Sequence, residues 1–214
     1  MKYTLLLLIC LLTETLLIAQ PLKPDLHDKE KWDVVRRQAE TVTENSAKAV
    51  QLSKEENDGL MILKNFELAE GVIEFDVKGE NVVGQSFVGL AFHLQDENTF
   101  DAIYFRPFNF MNPDTVRRSR AVQYISSPEW GWEKLRLQYP GKYENKISPI
   151  PDANGWFHAR VDIEGKNIRV FVNNAPKPTL VVEKISTFDK GKIALWVGNG
   201  SKGSFANLAI TKKK

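Results

Sequence analysis

Any chemistry in this chain has to start from its carboxylates and from the polar side chains that alternate with apolar ones. Glu74 and Asp76 flank Phe75 in the stretch GVIEFDV from Gly71 to Val77, and residues two apart on a strand share a face. Two carboxylates on one surface are what cleavage of a glycosidic bond needs, about 5–5.5 Å apart when one is the nucleophile and the other the acid. Asp101 and Glu133 are further candidate acids. A solvated strand face alternates in the same way, which is the commoner use of such a pattern.

A second set of residues has the character of a binding surface. In DAIYFR, Asp101 to Arg106, the side chains of Ile103 and Phe105 point one way and those of Tyr104 and Arg106 the other. In WFHARV, Trp156 to Val161, alternation puts Phe157, Ala159 and Val161 inward and Trp156, His158 and Arg160 on the opposite face. His93 alternates against Leu90, Phe92 and Leu94, and Gln123 sits beside Tyr124. On one sheet these faces would form a groove of His93, Tyr104, Arg106, Gln123, Trp156, His158 and Arg160. Flat rings cover the apolar faces of pyranoses, and guanidinium and amide groups hydrogen-bond their hydroxyls or carboxylates, so the groove would take a carbohydrate or polysaccharide. Trp130 and Trp132, beside Glu133 and Arg136, would wall it. The same residues equally suit a structural face, with rings plugging the rim and the arginines paired with Asp101, Asp162 or Glu133.

Other chemistries find less support. Arg117-Arg118-Ser119-Arg120 offers guanidinium forks that match carboxylate or sulfate groups, although exposed charge on a loop is commoner. His27, His93 and His158 are too dispersed for a zinc site, and no calcium-loop spacing is present, so no cofactor is expected. The formal charge is +2, which the closing Lys212, Lys213 and Lys214 suffice to supply, so there is no electrostatic footprint for nucleic acid.

The elements that must position these residues read as short strands. Candidate runs are Val34 to Val42, Ala47 to Leu52, Leu60 to Leu63, Gly71 to Val77, Ser86 to Leu94, Thr99 to Phe108 and Arg120 to Ile125. Trp156 to Ile163, Asn167 to Val172, Thr179 to Val182, Lys192 to Val197 and Ser204 to Ile210 complete the set. No stretch keeps a helical period over three turns. About a dozen strands with close turns and no intervening helices predict an all-β, antiparallel β-sandwich of jelly-roll type. The proline-bearing stretch from Ser126 to Ala153 is the longest without a clear strand, and long ordered loops are commonly functional.

Residues 1–20 place Lys2 ahead of the apolar run Leu5 to Leu12, the order of a cleaved export signal, with Glu14 interrupting any permanent membrane span. A secreted or periplasmic protein is expected. Cys10, the single cysteine, lies within this segment, so the mature chain has no internal disulfide or thiol nucleophile. Residues 21–31 are polar and proline-bearing and are expected to be flexible, leaving residues 32–211 as one domain.

Three stretches carry a family resemblance: FELAEGVIEFDV (Phe66 to Val77), SFVGLAFHLQDENTFDAIYFRPF (Ser86 to Phe108) and GKIALWVGNGSKGSFANLAI (Gly191 to Ile210). Across about Trp32 to Thr211 the chain resembles the concanavalin A-like superfamily, and within it the bacterial 3-keto-disaccharide hydrolase domains described as family 16 glycoside hydrolase-like. The resemblance implies a concanavalin A-like jelly roll and permits a structural calcium. It also implies three uses: sugar binding, sugar cleavage, or a laminin-G-like protein-interaction module. In the laminarinase-like branch a third carboxylate follows the first two on the same strand. Here Lys78 and Gly79 occupy its place and Glu80 is out of register.

Overall fold

The computed structural model describes residues 20–44 and 47–213. The expected export segment and Cys10 thus lie outside the described residues, Gln20 excepted. Among the described residues, fourteen strands run in chain order as β1 (Trp32–Val35), β2 (Ala39–Glu44), β3 (Ala47–Leu52), β4 (Gly59–Leu63), β5 (Gly71–Lys78), β6 (Val88–Leu94) and β7 (Phe100–Phe105). They continue as β8 (Val122–Ser127), β9 (Glu144–Asn145), β10 (Phe157–Glu164), β11 (Asn167–Val172), β12 (Leu180–Glu183), β13 (Lys192–Val197) and β14 (Gly203–Lys212). Two short helices, α1 (Thr115–Arg118) and α2 (Trp132–Gln138), lie between β7 and β9.

The strands form two seven-stranded antiparallel sheets. Sheet I has the order β1-β4-β13-β6-β7-β8-β9 and sheet II the order β12-β11-β10-β5-β14-β3-β2. The expected sandwich is therefore the observed one. The run expected from Val34 to Val42 is two strands in different sheets, because the chain turns at Arg36, whose φ is +54°. In the long stretch after Ser126, α2 and the two-residue β9 provide the order.

Alternation builds the core. The inner face of sheet I carries Leu90, Ile103, Phe105 and Tyr124, and that of sheet II carries Ile73, Phe75, Phe157 and Val161, all essentially inaccessible. Phe105 and Phe157 meet edge to face at 5.0 Å between centroids, so an aromatic contact worth about 1 kcal/mol beyond simple burial joins the sheets. Residues 21–31, expected to be flexible, are docked instead. Leu22 exchanges two backbone hydrogen bonds with Ile210, Leu26 is buried, and the Trp32 indole donates to the Asp25 carbonyl at 2.9 Å. Unpaired backbone on β14 and an apolar edge beside Trp32 give this segment its partners, overriding its polar composition.

A buried polar network fixes one end of the sandwich. Asp101, expected as a candidate acid, has no exposed surface; its carboxylate accepts from the Tyr124 hydroxyl at 2.8 Å and the Ser186 hydroxyl at 2.7 Å. Tyr124 in turn accepts from the Ile185 amide at 3.1 Å. Burial, with Asp101 beside it, pushes the Tyr124 phenol well above its ordinary range, so it stays a neutral donor. Ile185 and Ser186 follow β12, so the network ties sheet I to the edge of sheet II.

His93, expected on a water-facing surface, also belongs to this interior. Its φ of +50° breaks the alternation of β6 and the ring is 1% exposed. Nε2 lies 2.9 Å from the Ala69 carbonyl, which can only accept, so Nε2 carries a proton; Nδ1 is 3.4 Å from the Asp101 carboxylate. Neither residue can meet a substrate. Replacing Asp101 by Ala strands two buried hydroxyl donors, so urea denaturation of D101A is expected to show a loss of about 3 kcal/mol.

Candidate functional site

Two surfaces gather polar side chains, and they lie on opposite sides of the molecule because they are the outer faces of different sheets. One lateral row crosses the outer face of sheet I: Leu60, Trp196, Gly89, Tyr104, Gln123 and Glu144 face one another in register. Gly89 is required in this row. A Cβ there would lie 2.1 Å from the Ile103 carbonyl oxygen and 2.6 Å from the Tyr104 Cα. Its bare backbone lets the rings of Tyr104 and Trp196 meet across it at 5.0 Å.

Arg106 stands at the end of β7, where its amide still donates to the Ala121 carbonyl and Pro107 starts a short turn. Its guanidinium lies 4.8 Å over the Tyr104 ring and 5.8 Å from that of Phe87. It donates to the Tyr104 hydroxyl at 2.6 Å, the Gln123 side-chain carbonyl at 3.0 Å and the Arg120 backbone carbonyl at 2.9 Å. Arg106 is 5% exposed, and among the described residues no carboxylate pairs with it. Burial draws its pKa below the ordinary arginine value, yet a guanidinium stays charged. Burial likewise pushes the Tyr104 phenol up to about 12, so Tyr104 serves as a neutral partner.

The walls come from the long connection. In α2, Glu133 in the first turn and Arg136 in the last complement the helix dipole, and Leu135 anchors the helix by burying completely. The helix ends at Tyr139, before Pro140 and Gly141. Its i and i+4 residues, Trp132 and Arg136, share a face, with the Arg136 guanidinium 4.7 Å over the indole. Arg136 grips Glu144 with two hydrogen bonds of 3.1 and 2.7 Å, and Arg120 Nε lies 3.5 Å from the same buried carboxylate. Opposite, Asp114 caps α1 and so presents Arg117. The result is an open cleft of about 380 Å³ lined by Phe87, Arg106, Phe108, Arg117, Trp132 and Arg136, together with Arg120.

The second surface is the outer face of sheet II. His158 on β10 lies between the two β5 carboxylates, with Nδ1 2.8 Å from Asp76 and Nε2 3.5 Å from Glu74. The second Asp76 oxygen accepts from the Asn207 amide at 2.6 Å. A cavity of about 520 Å³ runs from Glu74 and His158 to His27 and Lys48, walled by the docked 21–27 segment. Arg160, on the same face, stacks 3.9 Å over Phe171, with its Nε 3.0 Å from Asp162.

The single groove expected from the sequence is therefore divided. Tyr104, Arg106 and Gln123 come together on sheet I, and the loop residues Trp132 and Arg136 join them. His158 and Arg160 occupy the far side of the sandwich, and half-buried Trp156 stands just ahead of β10 in sheet II. His93 apart, alternation gave the strands the right inward and outward faces, but it carries no information about which sheet a strand enters. Glu133 is exposed on α2 and lines neither surface. Phe87 and Phe108 were missed as lining residues; the signal was an aromatic residue just before β6 and another shortly after β7, which antiparallel pairing brings to the same end of the two strands. Among the described residues no group of three or more His, Cys, Asp or Glu side chains is arranged to hold a metal ion, and no helix there is long and apolar enough to cross a membrane.

No family model matches the sequence, and no curated protein matches it. Solved structures do match in shape. The carbohydrate-binding module CBM66 from Bacillus subtilis superposes with a TM-score of 0.60 at 14% identity, over 85% of this chain and 96% of that one. A Bacillus subtilis protein of unknown function with a galectin-like fold gives 0.61 at 12% identity, over 91% and 97%. The exoplasmic/lumenal domain of VIP36, bound to Ca²⁺ and Man3GlcNAc, gives 0.57 at 13% identity, over 90% and 88%. At these identities the likeness shows the fold alone, a jelly-roll β-sandwich shared with galectin-like and carbohydrate-binding structures.

An arginine kept only for structure would be costly to lose, whereas a buried charge answered by neutral groups carries a desolvation penalty that an apolar side chain removes. Arg106→Met removes that penalty but leaves the buried Gln123 carbonyl and Tyr104 hydroxyl without their donor, so a net loss of about 1 to 3 kcal/mol is expected in guanidinium titrations.

Proposed function

We propose that the protein is an exported carbohydrate-binding β-sandwich, secreted or periplasmic, that holds a glycan in the cleft beside Arg106. The observation that carries this reading is the meeting, in one open cleft, of flat rings from Trp132, Phe87 and Phe108 with the fork donors of Arg106, Arg120 and Arg136. Rings and guanidinium groups at that spacing suit a sugar, whose apolar face and hydroxyl edge need both kinds of partner. Tyr104 and Gln123 hold the Arg106 fork in position from behind. The sugar-binding neighbours of the same fold support the reading by analogy. The charge-then-hydrophobe order of residues 1–20 supports export.

A second reading is sugar cleavage at the outer face of sheet II, as the 3-keto-disaccharide hydrolase resemblance implies. Its support is the imidazole of His158 held between Glu74 and Asp76 beside a cavity of about 520 Å³. Release of reducing sugar from a polysaccharide panel, abolished in Glu74→Gln, would promote it over the first.

The binding reading is tested on a glycan array with the mature chain. Trp132 is 43% exposed, so Trp132→Ala leaves the melting temperature within a few degrees while retention drops about tenfold or more. An array that retains nothing, or a W132A variant that binds like the parent, would overturn the assignment.

A further inference from the structure

The charge around the cleft is unbalanced. Four guanidinium groups, Arg106, Arg117, Arg120 and Arg136, line it, and none of its lining residues is acidic. Two carboxylates answer from outside the lining: Glu144, gripped by Arg136 and approached by Arg120, and Asp114, 3.8 Å from the exposed Arg117. Two positive charges therefore remain, and the deepest of the four, Arg106, has no counter-ion among the described residues. Three of its five N–H groups reach neutral oxygens. A guanidinium removed from water without a carboxylate is unfavourable, a cost that an anion arriving in the cleft would offset.

The arrangement also withholds alternatives. Glu144 is turned from the cleft by its two-point contact with Arg136, which fixes that arginine while leaving the indole of Trp132 beneath it. Guanidinium forks and aromatic rings lining one recess match an acidic group carried on a sugar, whose C–H face packs on a ring, better than a free inorganic anion, which has no use for Trp132, Phe87 and Phe108.

We infer that the cleft selects an acidic glycan, its carboxylate or sulfate group seated on Arg106 and flanked by Arg120 and Arg136, with the sugar ring on Trp132. The inference rests on the carbohydrate-binding reading above and narrows it to one ligand class. It also gives the Arg117–Arg120 cluster a use, as the outer edge of the same recess.

The test is titration calorimetry of the mature chain with three probes: oligogalacturonate, which carries only carboxylates, dextran sulfate, which carries only sulfates, and dextran, which carries neither. The expected result is that at least one acidic probe binds about tenfold or more tighter than dextran, and that this margin shrinks as salt rises. Arg106→Gln and Arg136→Gln are each expected to remove about tenfold, whereas Arg169→Gln, on the outer face of sheet II, changes nothing. Should R106Q fail to fold, R136Q and the salt dependence carry the test alone. Dextran binding as tightly as both acidic probes would overturn acidic selectivity and leave the glycan reading intact. No binding by any of these probes, together with an array that retains nothing, would remove both. Acidic binding unaffected by R106Q and R136Q would place the anion elsewhere and overturn the inference.

Discussion

A positive charge held out of water with only neutral oxygens for company is the constraint on which the rest of this site depends. Arg106 is fixed by the Tyr104 hydroxyl, the Gln123 amide and a backbone carbonyl, and stacked on aromatic rings. Each partner orients the fork and none neutralises it. That demands a rigid floor, and the floor exists because Gly89 lets two rings close across the sheet and because Tyr104 is too well buried to ionise. The nearby carboxylate, Glu144, is committed to Arg136 and Arg120. The cleft is left electropositive as a consequence of who pairs with whom.

The opposite face of the same strand carries a buried ionisable group of a different kind. Asp101, an odd number of residues before Arg106, points into the sandwich and receives two hydroxyl donors with the His93 ring close by. Each group is desolvated, but each Asp101 oxygen receives a hydroxyl donor from the fold, while Arg106 has three of its five N–H groups on neutral oxygens and no carboxylate among the described residues. β7 thus carries a structural ionisable group inward and an unanswered one outward.

Much of the architecture was legible in residue order. GVIEFDV and WFHARV alternate so regularly that strand, inward face and outward face follow directly, and their pairing as β5 and β10 keeps Ile73 opposite Val161. Tyr104 and Arg106 sharing an outward face is the same rule applied to β7. What alternation cannot supply is sheet membership, because a sandwich offers two outer faces and sequence separation does not say which one a strand enters. His158 and Arg160 were placed with Arg106 for that reason. His93 failed differently: a positive φ turned one side chain inward, and no local pattern around Phe92-His93-Leu94 announces such a kink. The contribution of α2 lay in a proline-bearing stretch whose seven helical residues are too few to show a period.

The likeness to sugar-binding sandwiches gives the scaffold, and the arginine cleft gives this chain its own character within it. The most direct measurement is side-chain NMR of ¹⁵N-arginine-labelled protein during titration with oligogalacturonate. Movement of the Arg106 and Arg136 Nε–H resonances, with those of Arg160 and Arg169 unmoved, is what a ligand seated over β7 requires. Perturbation confined to Arg160 and Arg169, with Arg106 silent throughout, would contradict it.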